Sequence, residues 1–77
     1  MSAIKDRAGR YRRIKNDETF REIMDGVRAS QVSVFTDTGA TIESIAEAHG
    51  VLRALQLVDS YIQSALDDEA VYDKKNA

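Results

Sequence analysis

From Phe20 onward, apolar residues recur at helical spacing: Phe20, Ile23, Met24, Val27 and Val34, with Gln31 the one polar member of the stripe. Charged Glu18, Glu22, Asp25 and Arg28 fall off it, so the pattern predicts an amphipathic helix over about 17–35. Asn16 and Asp17 are both suitable N-caps, because either side-chain oxygen can accept from free backbone N–H groups at the helix start. Asp17 and Glu18 also suit the positive end of the helix dipole. Gly26 weakens the interior by about 1 kcal/mol relative to alanine, or else permits a close helix crossing. The alternating Val32–Phe35 segment reads as a short strand in isolation. Helical spacing through Val27, Gln31 and Val34 favours the end of the helix instead.

Thr36–Ala40 is the predicted turn, with Gly39 supplying permissive backbone. Thr41 is then a good N-cap, with Thr38 as a competitor and Glu43 in the first turn. A second helix is predicted over 42–66. Ile45, Ala48, Leu52, Leu55, Ile62 and Leu66 form a heptad-like seam once Asp59 takes its place in it. Val51, Val58, Tyr61 and Ala65 form an adjacent stripe, so the apolar arc is wider than one partner helix covers. Gly50 is a mild interior cost and a candidate point of close approach. Helices of about 28 Å and about 37 Å joined by a short turn make an antiparallel hairpin. The fold class is therefore all-α.

Two helices make half a bundle. Ile4, Ala8, Tyr11 and Ile14 have helical spacing interrupted by Gly9, so the N-terminal segment is read as an arm or a third short helix. The surplus apolar face, with Val51, Val58 and Tyr61 as its partner-binding candidates, is covered by that segment, by a second copy or by a larger protein. The expected layout is an N-terminal arm at 1–15, a hairpin at 16–68 and a polar tail at 69–77.

Charge changes this picture more than composition does. The arm carries Lys5, Arg7, Arg10, Arg12, Arg13 and Lys15 against Asp6 alone. The body is strongly acidic, so a net charge of −2 over 77 residues conceals a basic arm on an acidic hairpin. Such an arm, with Tyr11 inside it, suits the acidic face of a protein, the phosphates of a nucleic acid, or solvent. Nucleic-acid contacts through it would be sequence-tolerant, because no recognition-helix pattern follows. A chain of this size usually needs help to be stable. With no cysteine, disulfides cannot supply it, and oligomerisation or docking is the remaining common route. His49 is the only histidine, which rules out a Cys/His zinc site and reads as a boundary residue. No run of apolar residues is long enough to span a bilayer, and no apolar stretch follows the basic N-terminus as in a signal peptide. The protein is expected to be soluble and intracellular, with no membrane partner.

Catalytic chemistry finds little purchase. No phosphate-binding glycine loop occurs. The paired carboxylates, Asp17/Glu18 and Asp67/Asp68/Glu69, read as capping and solubility features, and the second set lacks a calcium-loop pattern. No nucleophile, base and oxyanion donor converge, so neither an enzyme nor a cofactor is expected. Acids at 67–69 oppose the dipole of a helix ending there, so that end frays or is held by cations of the arm of the same or another subunit. Asp59, interrupting the seam, either pairs with Arg28 as a buried ion pair or lies at the rim facing water.

Several stretches resemble small helical proteins encoded among the head and DNA-packaging genes of tailed bacteriophages. They are Arg13-Ile-Lys-Asn-Asp-Glu-Thr-Phe20, Thr41-Ile-Glu-Ser-Ile-Ala-Glu-Ala-His49, Leu52-Arg-Ala-Leu-Gln-Leu57 and Ile62-Gln-Ser-Ala-Leu-Asp-Asp68. Those proteins carry an Asn-Asp-x-x-Phe start, a Thr/Gly turn and a Leu-x-Ala-Leu-x-x-Leu core, and the likeness spans about residues 13–68. It implies a role in virion assembly, head completion or packaging, with a location in the host cytoplasm and/or the virion, and it brings no catalytic residue. The leading expectation is a non-enzymatic assembly component that binds a larger virion protein (head, portal or packaging component) and itself. The alternatives are a nucleic-acid-binding packaging accessory and an inhibitor of a host defence protein.

Overall fold

The computed structural model describes residues 2–77. The chain is all-α: α1 (Ala3–Asn16), α2 (Glu18–Val32), a single 3-10 turn at Ser33–Thr36, and α3 (Ile42–Lys75). Each start follows from a cap that the sequence supplies. The Ser2 hydroxyl accepts from the Lys5 N–H at 3.3 Å. Asp17 Oδ1 accepts from the Phe20 N–H at 2.7 Å. Thr41 and Ser44 exchange side-chain-to-backbone bonds of 3.1 and 2.9 Å, a reciprocal box that settles the contest with Thr38.

Asp17 is also where the first limb breaks. Its extended backbone (ψ 121°) ends α1 while its side chain starts α2, so the two helices follow one another with a one-residue joint. Both run antiparallel to α3. Lys5 lies beside Asp73, Lys15 beside Gln63 and Arg28 beside Asp59. The molecule is therefore a hairpin with one broken limb and one continuous limb. At 34 residues, α3 is about 51 Å long. The whole measures 55 × 22 × 15 Å, a slab one helix thick.

Such a slab has little interior. Among the described residues only Ala8, Ala48, Leu55, Ile62 and Ala65 are buried, and no large side chain is fully enclosed. Ala48, Leu55 and Ile62 repeat every seven residues and are members of the seam read from the sequence. Small residues at Ala8 and Ala65 let α1 and α3 approach closely.

Several boundaries differ from expectation for physical reasons. Of the two readings of the N-terminal segment, arm or third short helix, the helix is the one found: Met1 lies outside the described residues, and from Ala3 the segment is helical straight through Gly9 and packed on α3. α3 does not stop at Leu66, and residues 69–75 of the expected polar tail belong to it. Glu69 and Tyr72 are half-buried against the first limb, and Lys74 and Lys75 fall in the last turn, where they complement the dipole. Val32–Phe35 is neither strand nor regular α-helix; helical winding continues but tightens to a 3-10 turn over Ser33–Thr36, where Ser33 and Thr36 hydroxyls bond back to Ser30 and Ser33 carbonyls. Gly39 is not left-handed, as no residue has that conformation among those described. The turn is made by Asp37, whose carboxylate accepts from the Gly39 N–H at 2.8 Å.

Gly26 meets nothing within 4 Å, so it is a weak point and not a helix crossing. Gly26→Ala is expected to stabilise the chain by about 1 kcal/mol. The measurement is a rise in the urea midpoint with unchanged slope.

Candidate interaction surface

The basic side chains of α1 do not project freely. Lys5 Nζ lies 2.6 Å from Asp73 and 3.7 Å from Glu69. Arg7 is 3.2 Å from Asp68, and Arg12 pairs with Glu69. The Arg7 guanidinium also sits 4.9 Å above the Tyr11 ring, and Lys15 donates to Gln63 at 3.2 Å. Cations of the same subunit thus hold the Asp68 and Glu69 acids, while Asp67 accepts from Gln63 at 2.9 Å. Glu69 is the best sheltered of these groups, its side chain 14% exposed. Arg10 and Arg13 alone among the six α1 cations have no side-chain hydrogen bond or ion pair among the described residues.

The hydrogen bond from Lys5 to Asp73 raises the lysine above its ordinary value of 10.5, with Glu69 adding to the effect. A group raised on folding stabilises the folded state fully below its unfolded value and loses that contribution as pH climbs through the folded value. The stability difference between the wild type and Lys5→Met is expected to stay constant up to pH 10.5 and to close above it. Paired urea titrations across that range measure it.

Arg28 bridges Asp25 at 3.1 Å and Asp59 at 3.2 Å. The Arg28–Asp59 pair forms, but at the rim: the side chains are 39% and 58% exposed, so it is not a buried pair. With Lys15, Arg21, Met24 and Gln63 these residues line a polar groove along the α2–α3 seam. His49 is exposed, and no group of three His, Asp or Glu side chains capable of holding a metal ion occurs among the described residues.

The other flank of α3 is different in kind. Tyr11 and Ile14 of α1, Phe20 of α2, and Leu57, Val58 and Tyr61 of α3 line a shallow groove with no charged side chain in it; Ile62 closes its floor. Leu57 and Tyr61 are 61% and 68% exposed. Val58 and Tyr61 were expected on this face, whereas Val51 is half-buried against the first limb. Leu57 was not expected, although its spacing from Ala54 and Tyr61 (steps of 3 and 4) places it on the same stripe. α1 covers only one edge of the groove, because its own apolar residues are few and its cations are drawn toward the acids at 68–73. A second apolar region caps the turn end, where Val32, Phe35 and Ile42 are exposed, Ile42 at 84%.

Compared with known protein families, curated proteins and solved structures, the chain matches none. Among the described residues no helix is long and apolar enough to cross a membrane.

Proposed function

We propose that this chain is a non-enzymatic assembly protein of tailed-phage type that docks on a larger virion protein through its apolar surface. One observation carries the reading. Among the described residues, twelve large hydrophobic side chains are exposed and only five residues form the core. Scattered exposed hydrophobics are ordinary, but contiguous apolar patches with polar rims mark interaction sites. Seven of the twelve lie in two places: Ile14, Leu57, Val58 and Tyr61 in the groove at mid-length, and Val32, Phe35 and Ile42 at the turn end. The resemblance to small head and packaging proteins supplies the class of partner.

The turn end is the docking element of this reading. Val32, Phe35 and Ile42 are exposed at the tip of the hairpin, with Asp37 and Glu43 close by in sequence, which suits an apolar pocket with a basic rim. A protein partner is favoured over nucleic acid because Lys5, Arg7 and Arg12 are already neutralised by acids of α3. Of the α1 cations, Arg10, Arg13 and Lys15 remain without an acidic partner among the described residues, set against an acidic body.

Capture experiments with purified head-shell, portal and terminase proteins test the reading. One of them is expected to bind the wild-type chain, and Phe35→Asp or Ile42→Asp should weaken that binding about tenfold or more. Binding to none of the three overturns it. Salt-sensitive DNA binding lost with Arg10→Ala/Arg13→Ala would instead favour the packaging-accessory alternative.

A further inference from the structure

The groove at mid-length has a more specific occupant than the turn end. We infer that it is the interface of a two-fold symmetric dimer, in which α3 packs antiparallel on α3 of a second copy about Ala54.

Surface area is the first argument. The chain exposes 5929 Å², whereas a compact monomer of its mass exposes about 4,700 Å². A standard interface removes about 800 Å² per partner, so one isologous contact absorbs most of the surplus. It also doubles a slab one helix thick into a four-helix cross-section, which gives Leu57, Val58 and Tyr61 the opposite wall they lack.

The stripe itself specifies the symmetry. Glu47, Gly50, Ala54, Leu57 and Tyr61 follow one another at steps of 3, 4, 3 and 4, the spacing of a coiled-coil seam. All five are exposed. The stripe reads small in the middle and large or charged at its ends, and Ala54 is its midpoint. Gly50 has nothing within 4 Å in its own chain, so close approach of another helix there is unobstructed. In an antiparallel pair centred on Ala54, Gly50 lies opposite the partner's Leu57 and Val58, and Glu47 faces the partner's Tyr61, whose hydroxyl can donate to it. A parallel pair would instead set Glu47 against Glu47.

Charge completes the argument. One turn before Glu47, Glu43 reaches the level of the partner's Ala65. That is the level of Arg13 in the partner's α1, since Lys15 lies beside Gln63 in each chain. Arg10 and Arg13, like Lys15, have no acid of their own, and these two border the groove next to Ile14 and Phe20. Two copies therefore bring an unpaired acid and unpaired bases together at each end of the interface.

The inference does not depend on the larger partner, and its test uses the chain alone. Sedimentation equilibrium of the wild type is expected to give twice the 8.6 kDa chain mass. Leu57→Asp should shift it to the monomer with its helical circular dichroism retained. Because the protein contains no cysteine, Ala54→Cys introduces a single thiol. Near the two-fold axis it should oxidise readily to a disulfide-linked dimer, since that bond needs Cα atoms within about 7 Å. Val71→Cys, far from the axis, should not. Glu43→Arg/Glu47→Arg should weaken association, and mixing it with Arg10→Glu/Arg13→Glu should restore it as a heterodimer. A monomeric wild type, a dimer indifferent to Leu57→Asp, or cross-linking at position 71 in preference to 54 would each overturn the arrangement.

Discussion

Ile62→Ala is expected to cost about 2–5 kcal/mol, as large-to-small changes in a core do. A chain of this length has roughly 4–12 kcal/mol of stability in all. The position is the reason for the size of the effect. Ile62 is buried at the level where α1 ends, Asp17 breaks the limb and α2 begins, and it touches both the apolar and the polar groove. Truncating it leaves a void that three helices share. A slab with five buried residues has no second layer to collapse into that space. The urea midpoint should fall sharply with an unchanged slope, the sign that stability and not compactness has changed. Tyr61→Ala, one residue away and 68% exposed, should barely move the midpoint at concentrations where the chain is monomeric. A midpoint shift for Ile62→Ala no larger than that for Tyr61→Ala would show that the core lies elsewhere.

That contrast between neighbouring residues was legible in the sequence, because it is a matter of helical phase. Ala48, Leu55 and Ile62 keep one phase and face the limb; Val58 and Tyr61 keep another and were assigned outward. Caps were legible too, since Asp17 and Thr41 act through their own side chains within three residues. Elements that depend on tertiary context were not. Nothing local says that α3 continues past Leu66, because Asp67–Glu69 opposes continuation until the cations of α1 arrive. The same missing context made residues 1–15 ambiguous between arm and helix, and their weak apolar stripe becomes a docked face only against α3. Gly39 misled for another reason: Asp37 shapes that turn, and the glycine needs no special conformation. Asp59 was framed as buried pair or solvated rim, and it is a pair at the rim.

The dependence of α1 on those acids leads to a second large effect. Glu69→Arg is expected to release α1 from α3 while the α2–α3 hairpin stays folded. Glu69 accepts from Arg12 and stands 3.7 Å from Lys5, and it is the least exposed carboxylate of the cluster. Charge-assisted bonds are stronger than neutral ones where one partner is sheltered, as Glu69 is. The cations are about half exposed, so solvent screening discounts each bond and the pairs act together. Reversal of the sign adds repulsion, because Arg7, Arg12 and Lys5 would then face a fourth cation with only Asp68 and Asp73 to offset them. Against this, the only residue α1 buries is Ala8, which is too little apolar area to hold the helix alone. Amide exchange should therefore quicken over residues 3–16 and 66–75 and stay slow over 42–62. Glu69→Gln, which keeps the shape without the charge, should fall between. Molar salt should loosen the same segments in the wild type, since the screening length is then about 3 Å. Because Tyr11 and Ile14 leave with α1, Glu69→Arg should also weaken self-association through the groove, although residue 69 lies outside that groove. Uniform exchange across all three helices would instead mean that the slab unfolds as one unit and that the ion pairs do not set the stability of α1.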